Sequence, residues 1–191
     1  VAKGSDNPAR FIHMKYVPQN PVKRIAIIGK GLCFDSGGLD LKPASSMLTM
    51  RNDMAGAACI IGIMSVIDKI KPDVEIHGLI AACENMPSGK SYKPGDILTA
   101  RNGKTIEVDN TDAEGRLTLA DVLCYACDLE VDEVIDIATL TGACVVALGD
   151  TVSGIMGNNR EFVKTLTKTA LYSGEKFWQL PMLQDYRENL N

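Results

Sequence analysis

The chain has 191 residues, of which 46% are hydrophobic and 23% are charged. This balance is typical of a folded globular domain and excludes a disordered or fibrous chain. The net charge of −4 gives no broad basic surface, so nucleic acid is not an expected partner of this segment. The sequence contains neither a run of about 18 apolar residues nor a signal-like start, so we expect a cytoplasmic protein with no membrane contact.

Strands alternate with helices along the chain, which predicts an α/β fold: a three-layer domain with a mostly parallel mixed sheet flanked by helices. The predicted strands are 10–17, 24–29, 74–83, 133–138 and 152–156. The predicted helices are 53–70, a segment that ends near Leu129, 141–148 and 161–173. Because the first of these helices is apolar on all sides, we expect it to be mostly buried.

Three connecting segments have signals of their own. Asn102-Gly103 predicts a hairpin between 97–101 and 104–108, since this dipeptide favours the tight turns that join antiparallel strands. Residues 30–52 are predicted to form a glycine-rich loop. Residues 177–181 are predicted to be irregular.

The positions of the cysteines and histidines do not favour disulfides, a redox site or a histidine-rich metal site. Six cysteines stand singly in apolar runs, which is typical of reduced, buried thiols rather than of a disulfide framework. Cys124 and Cys127 have the C-x-x-C spacing, but they lie in the middle of a predicted helix, where no helix N-terminus stabilises a thiolate. His13 and His77 lie in predicted strands, so no histidine-rich metal motif can form and we expect both to be structural.

Acidic residues recur where predicted strands end or predicted helices begin. These residues are Asp35, Asp53, Asp112 and Glu114. Because open α/β sheets bind their ligands at the carboxyl ends of their strands, we expect the four carboxylates to share one edge of the sheet. Three basic residues accompany them: Lys30, Lys42 and Arg116.

Several interpretations of this cluster stay open on the residues alone. Thr111 and Glu114 fit a helix capping box, and Asp53 fits an ordinary acidic residue in the first turn of a helix. The charged residues could also form a network of ion pairs. Alternatively, the glycines that flank them leave room for ions, and a ligand set rich in oxygen and poor in histidine suits divalent cations.

Five segments resemble, in order and spacing, the catalytic domain of the leucyl aminopeptidase (cytosol aminopeptidase) family. They are Gly29–Gly38, Leu41–Pro43, Met50–Ala58, Asn110–Leu117 and Asp136–Ala143. The octapeptide NTDAEGRL from Asn110 is the most specific of them, and the resemblance covers nearly the whole chain. It implies a zinc-exopeptidase-like fold and a di-metal aminopeptidase that removes N-terminal residues, preferably leucine or other bulky apolar residues, from peptides.

The resemblance also implies a role for each residue of the cluster. Asp35 and Glu114 would bridge two zinc ions, Lys30 and Asp53 would complete one ion, and Asp112 would complete the other through its carboxylate and backbone carbonyl. Lys42 would polarise the scissile carbonyl, and Arg116 would hold a bicarbonate that shuttles protons. Four further residues match positions that line the substrate pockets: Met50, Asn110, Thr139 and Gly142.

Metal ligation places a chemical demand on Lys30. An ammonium cannot bind a metal, so Lys30 would bind as the neutral amine, its pKa lowered by two adjacent cations. We therefore expect metal binding to weaken as the pH falls. A water that bridges the two ions would become the attacking hydroxide near neutral pH. Zinc or manganese is expected, and cobalt or magnesium is possible.

The family's extent sets two further expectations. Its members have an N-terminal domain and a longer catalytic domain, so we expect 1–191 to be a single partial catalytic domain, truncated at both ends. They assemble as hexamers, which predicts a homo-oligomer here. Two alternatives stay open: a DNA-binding regulator, as some family members are, and a different di-metal hydrolase such as a phosphoesterase.

Overall fold

The computed structural model describes residues 1–190, and it describes side chains through residue 188. The strands are β1 (Arg10–Tyr16), β2 (Lys23–Asp35), β3 (Val74–Asn85), β4 (Ile97–Thr99), β5 (Thr105–Glu107), β6 (Glu133–Ile137), β7 (Ser153–Ile155) and β8 (Phe177–Gln179). The α-helices are α1 (Ala44–Met47), α2 (Ala55–Ile70), α3 (Glu114–Asp128), α4 (Gly142–Leu148) and α5 (Arg160–Tyr172). The chain divides into two compact units, Val1–Leu140 and the residues from Thr141 onward.

The first unit is built on a four-stranded mixed sheet with the order β1-β3-β2-β6. The central strand β2 runs parallel to β3 and to β6, and β1 pairs antiparallel with β3. The interior of β2 is buried on both faces, as expected for a parallel strand covered by helices. The prediction of a mostly parallel mixed sheet is confirmed.

Helices cover both faces of this sheet, so the first unit has three layers. On one face, Ala57 and Ile60 of α2 pack against Ile27 and Ile80 of the sheet. On the other face, a second cluster joins Leu119, Val122 and Ala126 of α3 to Ala26, Ile28 and Leu79 of β2 and β3. These two apolar layers hold the first turns of α2 and α3 beside the end of β2.

Strand β2 extends six residues beyond its predicted end at residue 29. Its pairing with β3 continues to Asp35, opposite Asn85, with one irregularity between Leu32 and Phe34. Lys30 and Asp35 therefore lie on a strand, and their assignment to a glycine-rich loop was wrong. The physical reason is that Gly29 permits a close approach: a Cβ at Gly29 would lie 2.6 Å from the backbone nitrogen of Ala57, so the glycine lets α2 pack on the strand instead of turning the chain.

Two other local predictions were wrong. Helix α2 buries only one side, and Ile63, Val66 and Ile70 on its outer side are exposed. A helix with apolar residues on all sides gives no sequence signal for which side packs against the sheet. The 177–181 segment contains strand β8, which pairs parallel with β7. The hairpin around Gly103 is confirmed, with β4 and β5 shorter than predicted.

The second unit contains α4, the β7–β8 pair and α5. Side chains cap both helices: Thr141 accepts a hydrogen bond from the backbone N–H of Ala143, and Asn159 accepts one from that of Phe162. Such caps satisfy backbone donors that a helix leaves free at its start. Across the described residues of both units, we find no helix with the length and apolar character needed to cross a membrane.

Candidate metal centre

Lys30 is the buried centre of the first half of the site. Its ammonium lies 2.8 Å from Asp53 Oδ2 and 2.9 Å from Glu114 Oε1, and it donates to the backbone carbonyl oxygen of Thr139 at 3.1 Å. The lysine side chain is 4% exposed. Three segments that are distant in sequence therefore converge on one strand residue.

The fold explains why these groups meet. The β2–β6 ladder ends at the pair Gly29 and Ile137, so Lys30 follows it at the carboxyl edge of β6. Glu114 is the first residue of α3, and the positive end of a helix dipole favours a carboxylate there. The next residue, Gly115, is needed for space, because a Cβ there would lie 2.6 Å from Lys30 Cε.

Lys42 is the centre of the second half. Its ammonium lies 3.1 Å from Asp35 Oδ2 and 2.6 Å from Asp112 Oδ1. Asp35 is the last residue of β2, and Lys42 returns to it through a backbone hydrogen bond from its own N–H to the carbonyl oxygen of Ser36. With its side chain 14% exposed, Lys42 is the more accessible of the two lysines.

The two halves share a compact set of oxygens. Asp35, Asp112 and Glu114 each offer a carboxylate oxygen, and these atoms lie within 4.8 Å of one another. Glu114 Oε2 is buried and has no hydrogen-bond partner among the described residues. Four carboxylates thus face two ammonium groups. This excess of buried negative charge is what a site for added cations provides.

The pKa values follow from burial and from the shortage of positive charge. Burial raises the pKa of Glu114 to about 7, although Lys30 opposes the shift. Burial also raises the pKa of Asp53, against hydrogen bonds from Lys30 and Thr139. For Lys30, burial favours the neutral amine, but contacts with Asp53 and Glu114 outweigh it and the pKa is raised. Asp53 and Glu114 therefore share one positive charge, that of the protonated Lys30.

This donor set fits divalent cations. Carboxylate oxygens suit hard or borderline metals, and a cation placed among Asp35, Asp112 and Glu114 would offset the burial and the repulsion from Asp35 that raise the pKa of Glu114. Added positive charge would also oppose protonation of Lys30. The neutral amine of Lys30 as a metal ligand stays a prediction.

The other predicted site residues have different surroundings. Thr139 donates its hydroxyl hydrogen bond to Asp53 Oδ1 at 2.7 Å, so it supports a carboxylate of the cluster. Asn110 accepts a hydrogen bond from the backbone N–H of Asp112. Met50 begins a short 3-10 helix, Met50–Asn52, three residues before Asp53. Gly142 is the first residue of α4 in the second unit.

Arg116 does not join the cluster within the described part of the chain. It is exposed on α3, and it has no ion pair or side-chain hydrogen bond there. Nor does a capping box form, since Thr111 donates its hydroxyl to the carbonyl oxygen of Gly37 and Glu114 faces Lys30. The capping interpretation of these residues is therefore wrong.

Sequence reasoning missed three residues behind the carboxylates. Asn85, Tyr92 and Thr111 are buried and hydrogen-bond to the segments that hold Asp35 and Asp112. One signal was available for Asn85, which lies two residues after the predicted strand 74–83. Tyr92 lies in a loop that gives no such signal.

A three-layer α/β unit with buried carboxylates and lysines at its strand ends is typical of metal-dependent hydrolases. The profile of the cytosol aminopeptidase family, catalytic domain, matches residues 1–191, and the chain belongs to this family. Proteins named "Probable cytosol aminopeptidase" from Sulfurihydrogenibium sp. (strain YO3AOP1) and Persephonella marina are 57% and 56% identical over 190 residues, covering 100% of this chain and 38% of each relative. One from Aquifex aeolicus is 56% identical over 183 residues, covering 95% of this chain and 37% of its own length. The chain thus spans under two fifths of these relatives.

Proposed function

We propose that this chain forms part of a di-metal aminopeptidase that removes the N-terminal residue, preferably leucine or another bulky apolar residue, from peptides. The observation that carries the proposal is the cluster of Asp35, Asp112 and Glu114 oxygens within 4.8 Å of one another. Membership in the cytosol aminopeptidase family supports the same activity. In keeping with that name, we also propose a cytosolic setting.

Five residues would hold the two ions: Lys30, Asp35, Asp53, Asp112 and Glu114. Bound divalent ions supply Lewis acidity, which lowers the pKa of water towards neutrality and stabilises negative charge on a carbonyl oxygen. Zinc or manganese fits this role, with cobalt or magnesium as further candidates. Asp35 and Glu114 lie in different halves of the cluster, and in this proposal they would bind both ions.

Lys42 has the properties of an electrophilic donor. Burial opposes its charge, but hydrogen bonds to Asp112 and Asp35 raise its pKa, so it keeps its proton at neutral pH. A protonated, partly exposed ammonium beside the carboxylates can donate to the oxygen of a scissile carbonyl as negative charge develops there. Lys30, which is more deeply buried, is instead suited to the metal side.

Arg116, a bicarbonate bound to it, and the substrate contacts of Met50, Asn110, Thr139 and Gly142 remain parts of the proposal. The exposure of Arg116 leaves its guanidinium free to bind an anion, and it follows Glu114 by two residues. A homo-oligomer, with the hexamer as the expected form, and a single catalytic domain spanning residues 1–191 stay predictions.

The test uses the full-length protein and p-nitroaniline release from a leucyl anilide with added Mn²⁺ or Zn²⁺. We expect Asp112→Ala to lower the rate by at least about 100-fold, the upper range for removing an outer-shell partner of a metal. Asp109→Ala, an exposed aspartate three residues earlier, is the matched control and should retain the rate. Equal rates for wild type and Asp112→Ala would defeat the proposal. Turnover of an aryl phosphate in place of the anilide would support a phosphoesterase.

A further inference from the structure

Asn85 lies at the point where the segments of the candidate metal centre meet. It is the last residue of β3, it pairs with Asp35 across the β2–β3 ladder, and it is 0% exposed. Its backbone carbonyl oxygen accepts hydrogen bonds from the backbone N–H and the hydroxyl of Ser36, at 3.0 and 2.7 Å. The end of β3 is thereby tied to the residue that follows Asp35.

The side-chain amide of Asn85 acts on two ligand-bearing segments. Its Nδ2 donates to Asp35 Oδ1 at 2.9 Å and to the backbone carbonyl oxygen of Thr111 at 3.0 Å. Both partners can only accept, so the NH₂ group must face them. The backbone N–H of Gly37 donates to the same Asp35 oxygen at 2.9 Å. Two donors therefore hold Oδ1, and Oδ2 is left to face Lys42 and the other carboxylates.

Thr111 extends this arrangement to Asp112. Its carbonyl oxygen also accepts the hydroxyl of Tyr92 at 2.6 Å. Its own hydroxyl donates to the carbonyl oxygen of Gly37 at 2.7 Å and accepts from the N–H of Asp40 at 2.9 Å. The backbone N–H of Thr111 donates to Asp40 Oδ2 at 2.6 Å. The hydroxyl and backbone N–H of Thr111, the residue before Asp112, are thus bonded to the loop that follows Asp35, and its carbonyl oxygen is bonded to Asn85 and Tyr92.

We propose that Asn85 is a positioning residue that aims the carboxylates of Asp35 and Asp112 at the metal ions, with Tyr92 in a supporting role. This inference rests on the proposed function, since it concerns the same ions. Outer-shell partners of this kind fix the orientation of a ligand before the metal binds and lower the cost of ordering it. Apart from Lys42, whose ammonium contacts both carboxylates directly, Asn85 is the one side chain that we find donating to both the Asp35 and the Asp112 segments in the described part of the chain.

The side chain of Asn85 is fully buried and closely packed. Asn85 Oδ1 has no hydrogen-bond partner among the described residues, and a Cβ at Gly38 would lie 2.9 Å from it. The role therefore resides in the two donors and not in the acceptor. Asn85→Asp keeps the shape, removes both donors and places a third carboxylate beside Asp35.

The experiment measures Mn²⁺ binding to the full-length protein by isothermal titration calorimetry. We expect Asn85→Asp to weaken binding by about 10- to 100-fold. Tyr92→Phe removes one donor from one segment, so its expected effect is smaller, about 2- to 10-fold. Asn102→Asp makes the same chemical change in the exposed hairpin turn and should leave the affinity unchanged.

A second readout separates positioning from general stability. With Co²⁺ bound, altered ligand orientation should change the visible absorption bands in Asn85→Asp but not in Asn102→Asp. Wild-type affinity and spectrum in a folded Asn85→Asp protein would overturn the inference. If Asn85→Asp does not fold, Tyr92→Phe decides, and wild-type affinity there would overturn it. Failure of the wild-type protein to bind Mn²⁺ would instead refute the proposed function.

Discussion

Two clusters of ionisable side chains lie at different positions along β2 and β3, and they satisfy their polar atoms in different ways. The candidate metal centre lies around Lys30 and Asp35, towards the carboxyl end of β2. The second cluster surrounds His77, which pairs with Ala26 nearer the start of that strand. Both contain buried carboxylates and basic groups.

The histidine cluster is complete without any added ion. His77 Nε2 lies 2.9 Å from Glu75, His77 Nδ1 lies 2.8 Å from His13 Nε2, and His13 Nδ1 lies 3.1 Å from the hydroxyl of Tyr125. Because the carboxylate can only accept, the protons alternate in one order: His77 donates to Glu75, His13 to His77, and Tyr125 to His13. All four ring nitrogens therefore have a partner.

The candidate metal centre, unlike the histidine cluster, contains a buried oxygen without a hydrogen-bond partner. Glu114 Oε2 is buried without a hydrogen-bond donor among the described residues, and burial raises the pKa of Glu114 to about 7. In contrast, a hydrogen bond from Lys15, together with a weaker one from His77, lowers the pKa of Glu75 although burial opposes this shift. A buried carboxylate with enough partners is a structural element, whereas one without them is suited to bind a cation.

The largest expected effect comes from removing the unsatisfied carboxylate. Glu114→Gln should weaken Mn²⁺ binding to the full-length protein by at least about 100-fold. With metal chelated, the same variant should be no less stable than wild type, because Lys30 keeps Asp53 as a partner and one of the four carboxylates that face two ammonium groups is removed. Calorimetry and thermal unfolding measure the two effects. Glu107→Gln, in the exposed hairpin, is the control, and a similar loss of affinity there would remove the distinction between the clusters.

Breaking the satisfied cluster should affect stability instead. Glu75→Leu leaves the buried Nε2 donor of His77 without its acceptor and should lower the free energy of unfolding by about 1–3 kcal/mol, as measured by urea denaturation. Glu133→Leu removes a carboxylate that pairs with a 42%-exposed Lys23 at 2.7 Å, so its cost should stay below about 1 kcal/mol. Equal costs for the two variants would contradict the assigned difference in burial.

The smallest expected effect is a pH dependence of stability. Burial lowers the pKa of both His13 and His77 below the ordinary value of 6.5, more than Glu75 raises that of His77. Around pH 6 the unfolded chain therefore binds more protons than the folded one, and the free energy of unfolding decreases as the pH falls through 6.5.

His13→Gln keeps a donor for His77 and removes one titrating group. It should make this decrease shallower, by less than the roughly 1.4 kcal/mol per pH unit of one full proton. Thermal unfolding between pH 8 and pH 5, in chelator so that metal binding does not contribute, measures the slope. A slope unchanged from wild type would show that the histidine pair does not couple to folding.

Much of this architecture could be predicted because it depends on local patterns. The strand and helix order followed from apolar periodicity, and the rule that strand ends meet at one edge correctly brought Asp35, Asp53, Asp112 and Glu114 together. Lys30 was predicted to join them. The sequence did not predict that Lys30 lies on the extended strand β2. A glycine such as Gly29 looks the same in a sequence whether it forms a turn or makes room for a packed helix.

Contacts between distant residues could not be read in this way. Asn85 is 50 residues from Asp35 and 26 from Thr111, and no periodicity reports such a pair. The outer side of α2 shows the reverse problem, since Ile63 and Ile70 are as apolar as core residues yet exposed. Arg116 belongs to the most specific motif of the chain, but its side chain does not contact the carboxylates. A sequence motif thus predicted which segments form the site more reliably than it predicted where each side chain points.

The central claim is that the unsatisfied carboxylates receive two divalent cations. Anomalous diffraction from crystals of the full-length protein soaked in Mn²⁺ tests it most directly. The account predicts two anomalous peaks within ligand distance of Glu114 and Asp35, with Lys30 and Asp112 each beside one of them. A map without peaks there, in which Lys30 still pairs with Asp53 and Glu114, would contradict it.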